Sequence, residues 1–301
     1  MATVETANNS AAMEASQAIT RRSASNLAPA FAALDKPRRL AMNALYAFCR
    51  EVDDVADEEM SPLETRRAEL DNWRQDVRRA CEGGSPEKIV IQELQPVIEK
   101  YALKFEYFDK LILGIETDVM QDRHETFEDL DQYCYRVASV VGLLSIEIFG
   151  YRNDDCQEYA VHLGKALQLT NILRDVGNDA ERGRIYLPQK AMEKFGVDPR
   201  SLLAFKYSAA FYNLAADIAA RARGHYQSAA ELLPFEDRRS ILTAECMGAV
   251  YWRLLRAMEK SKFRVMNPEP TRISKPRKLA IFLAVWSRII MGSQRPNYGR
   301  D

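Results

Sequence analysis

Between residues 37 and 292 apolar side chains recur at three- and four-residue spacings, the period of an α-helix. Few residues interrupt that pattern: the 301-residue chain holds 13 glycines and 12 prolines, and neither clusters inside the periodic stretches. No Asn-Gly or Asp-Gly pair separates alternating runs, so hairpin signals are missing. The pattern predicts an all-α fold with helices over about 37–58, 62–82, 87–101, 105–121, 126–150, 155–177, 200–232, 236–264 and 276–292. Ser85-Pro86 and Asp198-Pro199 read as helix starts, the first residue capping and the proline fitting the first turn. Pro268 and Pro270 bar helix continuation after Arg264. No linker marks a boundary, so the reading is one helical domain over 21–292, a frayed polar tail over 1–20 and a C-terminal tail over 293–301.

Composition removes several function classes. Net charge is −1, from 42 basic and 43 acidic side chains, which gives no global attraction to nucleic acid. Five scattered cysteines without a CxxC pair fit a reduced cytoplasmic protein and argue against a thiolate zinc site. His124, His162 and His225 form neither HExxH nor ExxH, so imidazole-bound zinc and carboxylate-bridged iron are poor fits. A metal here should be a hard ion held by oxygen. The first twenty residues lack the basic start and apolar core of a secretory signal. Leu279 to Met291 is apolar, but it carries Arg288 and is too short to span a bilayer.

Two acidic stretches carry the chemistry. In YAFCREVDDVADE, Asp53 and Asp57 lie four apart, so on a helix their carboxylates share a face about 6 Å apart. Tyr46 and Arg50 fall on the same stripe. Alone, such a DxxxD is more readily a solvated acidic helix end, because the pattern is common. The second stretch, LQLTNILRDVGNDAERGRIYLP, holds Gln168, Asn171, Asp175 and Asp179. The last three repeat at i, i+4 and i+8, so three oxygen-bearing side chains run along one face over about 12 Å. Leu167, Leu169, Ile172 and Leu173 surround them, which marks a core-like helix and not a general charged surface. Two such faces on antiparallel helices would wall one cavity. Their oxygens suit magnesium, which takes a few carboxylates together with substrate phosphate oxygens and water.

Cations accompany both faces. Arg50 and Arg174 neighbour the acids, and Arg184 and Tyr186 follow the second stretch. A guanidinium fork matches phosphate, although an ion pair to the adjacent aspartate accounts for Arg174 equally well.

Together these stretches resemble the paired signatures of the squalene/phytoene synthase family. The likeness runs from about Ser23 to Arg277 and includes Ser25, the segment Tyr133 to Gly142, and Tyr251. Asn178 stands where the family often has Glu, between the ligating spacings, and Asn26-Leu27 stands where many members have Phe-Tyr. The resemblance implies an isoprenoid synthase fold, a single helical bundle around a central cavity. It implies Asp53, Asp57, Asn171, Asp175 and Asp179 as ligands of Mg2+, with Mn2+ able to replace it.

The implied reaction is head-to-head (1′–1) condensation of two prenyl diphosphates. Metal and arginine stabilise the departing diphosphate, an allylic cation forms, and the second substrate's double bond attacks it. Tyr46, Tyr133 and Tyr251 are candidate aromatic faces for that cation, and core packing is the preferred role for Phe48. Ala138 and Gly142 either leave room for an isoprenoid tail or allow close helix packing. The form of the first motif is that of bacterial members that make presqualene diphosphate from two farnesyl diphosphates, a product that requires no NADPH. Phytoene synthesis from geranylgeranyl diphosphate, squalene or dehydrosqualene synthesis, and a non-catalytic helical assembly factor are the alternatives. Between Arg253 and Lys278 lie nine Lys/Arg and two Glu, either a solvated face or a surface for peripheral contact with anionic lipid. The sequence leaves the oligomeric state open.

Overall fold

The computed structural model describes residues 13–22, 28–58, 60–120, 123–267 and 269–299. Ser25 lies outside them. The described residues form helices and connecting turns with no strand. They divide into two units: one takes in the described residues up to Met120 with Leu143–Gly150, the other Gln121–Gly142 with the rest of the chain.

In the first unit the helices are α1 (Glu14–Arg22), α2 (Lys36–Asp57), α3 (Leu63–Cys81), α4 (Ile89–Tyr101) and α5 (Phe105–Met120). Asp35 caps α2 by accepting from the Arg38 N–H, with Pro37 in the first turn. The inner face of α2 buries Leu45, Phe48 and Val52 completely. Phe48 meets Trp73 of α3 and Phe108 of α5 edge-on, at 5.9 and 5.2 Å between ring centres, so it is core. Residues 14–20, expected within a frayed tail, are helical instead, in a helix that runs on to Arg22. The cause is Glu93 of α4, whose carboxylate accepts from the Ala15 and Ser16 N–H groups and the Ser16 hydroxyl, meeting donors that a helix start leaves unpaired.

Ser85-Pro86 does not open the next helix. The α4 helix starts at Ile89, and the preceding loop is held by the buried Asp76, which accepts from the Glu87 and Lys88 N–H groups at 2.8 Å each. Burial opposes ionisation of Asp76, but these N–H groups and Arg79 outweigh it and hold its pKa below the usual carboxylate value.

The second unit contains α6 (Phe127–Cys134), a π-helical segment (Tyr135–Ser139) and the start of α7 (Val140–Phe149). It continues with α8 (Asp155–Glu181), α9 (Gln189–Phe195), α10 (Pro199–Leu203), α11 (Ala209–Leu232), α12 (Leu242–Lys260) and α13 (Lys275–Ile290). The helix expected over 200–232 is two. Asp198 does cap its start, but Phe205 takes a positive φ of 55° and Ser208 caps a new helix through the Phe211 N–H. The single helix expected over 126–150 carries the π turn in its middle, where side-chain periodicity gives no warning. The long helix α8 packs along α11, and the π segment crosses it at Gly164, where a β-carbon would lie 2.6 Å from Ser139 Cα.

The C-terminal segment also departs from a tail. Tyr298 is buried, donates to the Tyr159 hydroxyl at 3.1 Å and fits against Gly248, whose hydrogen makes room for its ring. The buried pair of Arg238 and Glu245 lies in the same unit, and Arg238 also donates to the Ser293 carbonyl.

Candidate functional site

In the first unit the candidate residues stand on the last three turns of α2. Arg50 donates to Asp53 at 3.1 Å and pairs also with Asp54, so one guanidinium holds two neighbouring carboxylates. Both acids remain about half exposed. The Cys49 thiol behind them is pushed up to about 12, by burial first and by the Asp53 charge second, and is therefore no nucleophile. Tyr46 is half-buried with its ring edge against Phe31 at 6.2 Å. A cleft of about 770 Å³ is lined by Glu51, Asp54, Asp57, Glu58 and Glu69, with Lys88 as its cation. Burial and then the Asp54 charge raise the Glu51 pKa above its ordinary value.

In the second unit the stripe of Asn171, Asp175 and Asp179 lies within α8, which continues to Glu181 and so carries Asp179 on its last turns. Arg174 grips Asp175 with two bonds, Nε to Oδ1 at 2.8 Å and Nη2 to Oδ2 at 2.5 Å. Burial alone would lower the Arg174 pKa, but Asp175 and the neighbouring Tyr251 hydroxyl raise it well above the ordinary value. Tyr251 itself is buried. Asn171 turns its amide nitrogen towards Gln168 Oε1 at 3.5 Å, while its Oδ1 is buried with no hydrogen-bond partner. An amide oxygen so placed costs about 1–3 kcal/mol unless a donor or a cation meets it.

Two backbone features fix the stripe. Gly177, midway between Asp175 and Asp179, donates its N–H to Val265 O at 3.1 Å. A β-carbon there would lie 2.5 Å from Asn267 O, so only glycine permits this contact. Gly183 then takes a positive φ of 71°, and the Arg184 N–H bonds back to Asp179 O at 2.8 Å. That turn brings Arg184 and Tyr186 to a small crevice with Asp179.

The structure adds residues that the sequence reading passed over. His124 is buried against Tyr133, ring centres 4.9 Å apart, and Tyr133 stacks on Tyr186 at 5.5 Å. An isolated histidine far from either motif gave no signal of this. On the first turn of α13 the Lys278 pKa is lowered by burial first, then by Arg272, Arg174 and Lys275. Arg253 is lowered likewise, by burial and by Arg277. Arg272 and Lys275 thus lie within electrostatic reach of Lys278, which also feels Arg174. Ala138 is half-buried in the π segment. Gly142 faces the Ala160 backbone, where a β-carbon would sit 3.1 Å from its carbonyl oxygen, so close helix packing accounts for this glycine.

The donor set fits magnesium. Asn171, Asp175 and Asp179 offer hard oxygens, and the Asn171 oxygen lacks a protein partner. Among the described residues no three Asp, Glu, His or Cys side chains converge to hold a metal by themselves. Such a site would need oxygen from its substrate.

Comparison with known proteins agrees with these motifs. The family model for squalene/phytoene synthase matches residues 20–277. The presqualene diphosphate synthase of Rhodopseudomonas palustris is 39% identical over 254 residues, 83% of this chain and 88% of that protein. The 15-cis-phytoene synthase of Synechocystis sp. is 32% identical over 83% of this chain and 77% of that protein. Among solved structures, a dehydrosqualene synthase superposes with a TM-score of 0.83 at 27% identity, covering 94% of this chain and 98% of that one. A squalene synthase from Alicyclobacillus acidocaldarius gives 0.77 at the same 27% identity, covering 87% and 97%. The all-α architecture is therefore that of the isoprenoid synthases, and the chain belongs to the squalene/phytoene synthase family.

Proposed function

We propose that this chain is a prenyltransferase that joins two farnesyl diphosphates head to head into presqualene diphosphate. The observation that carries the reading is the α8 stripe, in which a buried, partnerless Asn171 oxygen precedes Asp175 and Asp179, with Arg174 and Lys278 close by. Hard oxygens with guanidinium and ammonium groups nearby suit a metal-bound diphosphate.

Asp53 and Asp57 on α2, and Asn171, Asp175 and Asp179 on α8, would hold the ions. Bound magnesium, or manganese in its place, supplies the charge that makes diphosphate a good leaving group. Arg174, Lys278 and Arg272 donate to the departing phosphate oxygens, and Tyr251 orients Arg174. Arg50 holds the first pair of carboxylates in position. The stacked Tyr133 and Tyr186 offer π faces to the allylic cation. Loss of a proton after carbon–carbon bond formation completes the cyclopropylcarbinyl product with no change in oxidation state, so NADPH is not consumed.

Farnesyl chains are favoured because relatives named presqualene diphosphate synthase match at 39, 36 and 37% identity over more than four-fifths of this chain. Phytoene synthesis from two geranylgeranyl diphosphates is the second reading, favoured by relatives of that name at 32% and 34% over similar spans. Incubation with magnesium and either substrate, with and without NADPH, followed by mass spectrometry, decides between them. Presqualene diphosphate from farnesyl diphosphate without NADPH is expected. Phytoene from the longer substrate alone overturns the first reading.

A further inference from the structure

The α13 helix is apolar on two opposite sides. Ile281 and Val285 are buried in the second unit. On the far side Leu279, Leu283, Trp286 and Ile290 stand 60, 57, 53 and 54% exposed. Their spacing of four, three and four places them on one stripe, centred opposite the buried pair. Scattered exposed apolar residues need no explanation, but four large ones in line on one helix do.

The charge around that stripe points to what covers it. From Arg272 to Arg295 the sequence holds six Lys/Arg and no acid, and four of them, Lys275, Arg277, Arg288 and Arg295, are not among the residues proposed to meet the diphosphate. Lys275 and Arg277 are exposed on the first turn of α13. A second copy of this chain meeting the stripe about a two-fold axis would bring like-charged segments together, which is unfavourable. An anionic bilayer supplies both complements, acyl chain for the stripe and head-group charge for the cations. Tryptophan is also the side chain best suited to the boundary between the two. No described helix is long and apolar enough to cross a membrane, so contact would be along the surface.

We propose that the outer face of α13 docks this protein on an anionic membrane, with Leu279, Leu283, Trp286 and Ile290 entering the head-group boundary. The proposal stands on this surface alone and holds whichever prenyl substrate is used.

The test uses the full-length protein and vesicles of phosphatidylcholine, with or without an equal share of phosphatidylglycerol. Flotation with the anionic vesicles is expected, weaker by about tenfold or more on neutral vesicles or in high salt. The chain has three tryptophans, and Trp73 and Trp252 are buried, so quenching by brominated acyl chains reports Trp286. The double variant Leu283→Ser, Trp286→Ser should lose flotation by at least about tenfold while melting as the parent does, since both side chains face solvent. Wild-type protein that stays unbound overturns the proposal. So does a double variant that still floats, or one whose main change in sedimentation equilibrium is from dimer to monomer without any vesicle binding by the parent.

Discussion

Arg174 and Asp175, adjacent in sequence, are joined by a two-bond fork along α8, Nε to Oδ1 at 2.8 Å and Nη2 to Oδ2 at 2.5 Å. Neighbours on a helix point about 100° apart, so this pairing needs the arginine to curl back towards the aspartate. The consequence is an acid whose oxygens are aimed by a cation before any ligand arrives. Arg174→Lys keeps the charge but not the planar fork. It is expected to lower kcat by about 10²-fold, the usual scale for losing one charge-stabilising donor. Steady-state kinetics on the variant, with circular dichroism to verify the helix content, checks this.

Asp53→Ala and Asp175→Ala should each abolish turnover and leave the fold intact, because both acids are partly exposed and neither fills the core. Product formation by mass spectrometry and thermal melting are the two measurements. Near-normal activity in either variant sinks the assignment of these positions to the metal.

Gly177 and Gly224 make a contrasting pair. A β-carbon at Gly177 would lie 2.6 Å from Met266 C and 2.7 Å from Val265 O, both backbone atoms that cannot swing aside. Gly177→Ala should cost about 1–3 kcal/mol and shift the acidic stripe, lowering the melting temperature and activity together. Gly224, inside α11, would meet nothing within 4 Å, so Gly224→Ala should stabilise by about 0.4–1 kcal/mol. Chemical denaturation of the two variants gives opposite signs if this packing is right.

A pH dependence follows from the paired imidazoles. The Nδ1 atoms of His162 and His225 are 2.9 Å apart, a contact that needs one nitrogen with a proton and one without. Burial lowers the His162 pKa most, with His225 and Lys165 adding to it, while Glu158 and Asp131 oppose them. His225 helps to hold the Asp131 carboxyl down at about 2 despite its burial, and Lys165 contributes, so this acid keeps its charge near neutrality. As pH falls below the ordinary histidine value near 6.5, the unfolded chain takes up the proton before the folded one does. Stability is therefore complete above that value and declines below it, until pH passes the folded pKa of His162. The melting temperature should fall between about pH 7.5 and pH 5, and His162→Gln should flatten that slope.

Much of the candidate site was legible because it is local. The 4-residue spacing of Asp53 with Asp57, and of Asn171, Asp175 and Asp179, becomes a shared face as soon as a helix forms. The same periodicity located most helices. It failed at the π segment, at the break after Leu203 and at residues 14–22, where a single turn or a distant partner such as Glu93 decides the backbone.

The sequence by itself determined the helical class, the family and the order of oxygen-bearing side chains along each motif, since all three are carried by short-range spacing. Tertiary structure decided which charges stand together. Lys278 is 104 positions from Arg174 by number and His124 is 62 from Tyr186, yet each shares surroundings with its partner. Such contacts arise from how buried faces pack, and packing brings together residues whose separation along the chain carries no signal. The same packing buried Ile281 and Val285 of α13 and left Leu279, Leu283, Trp286 and Ile290 exposed, a division that their shared apolar character does not reveal.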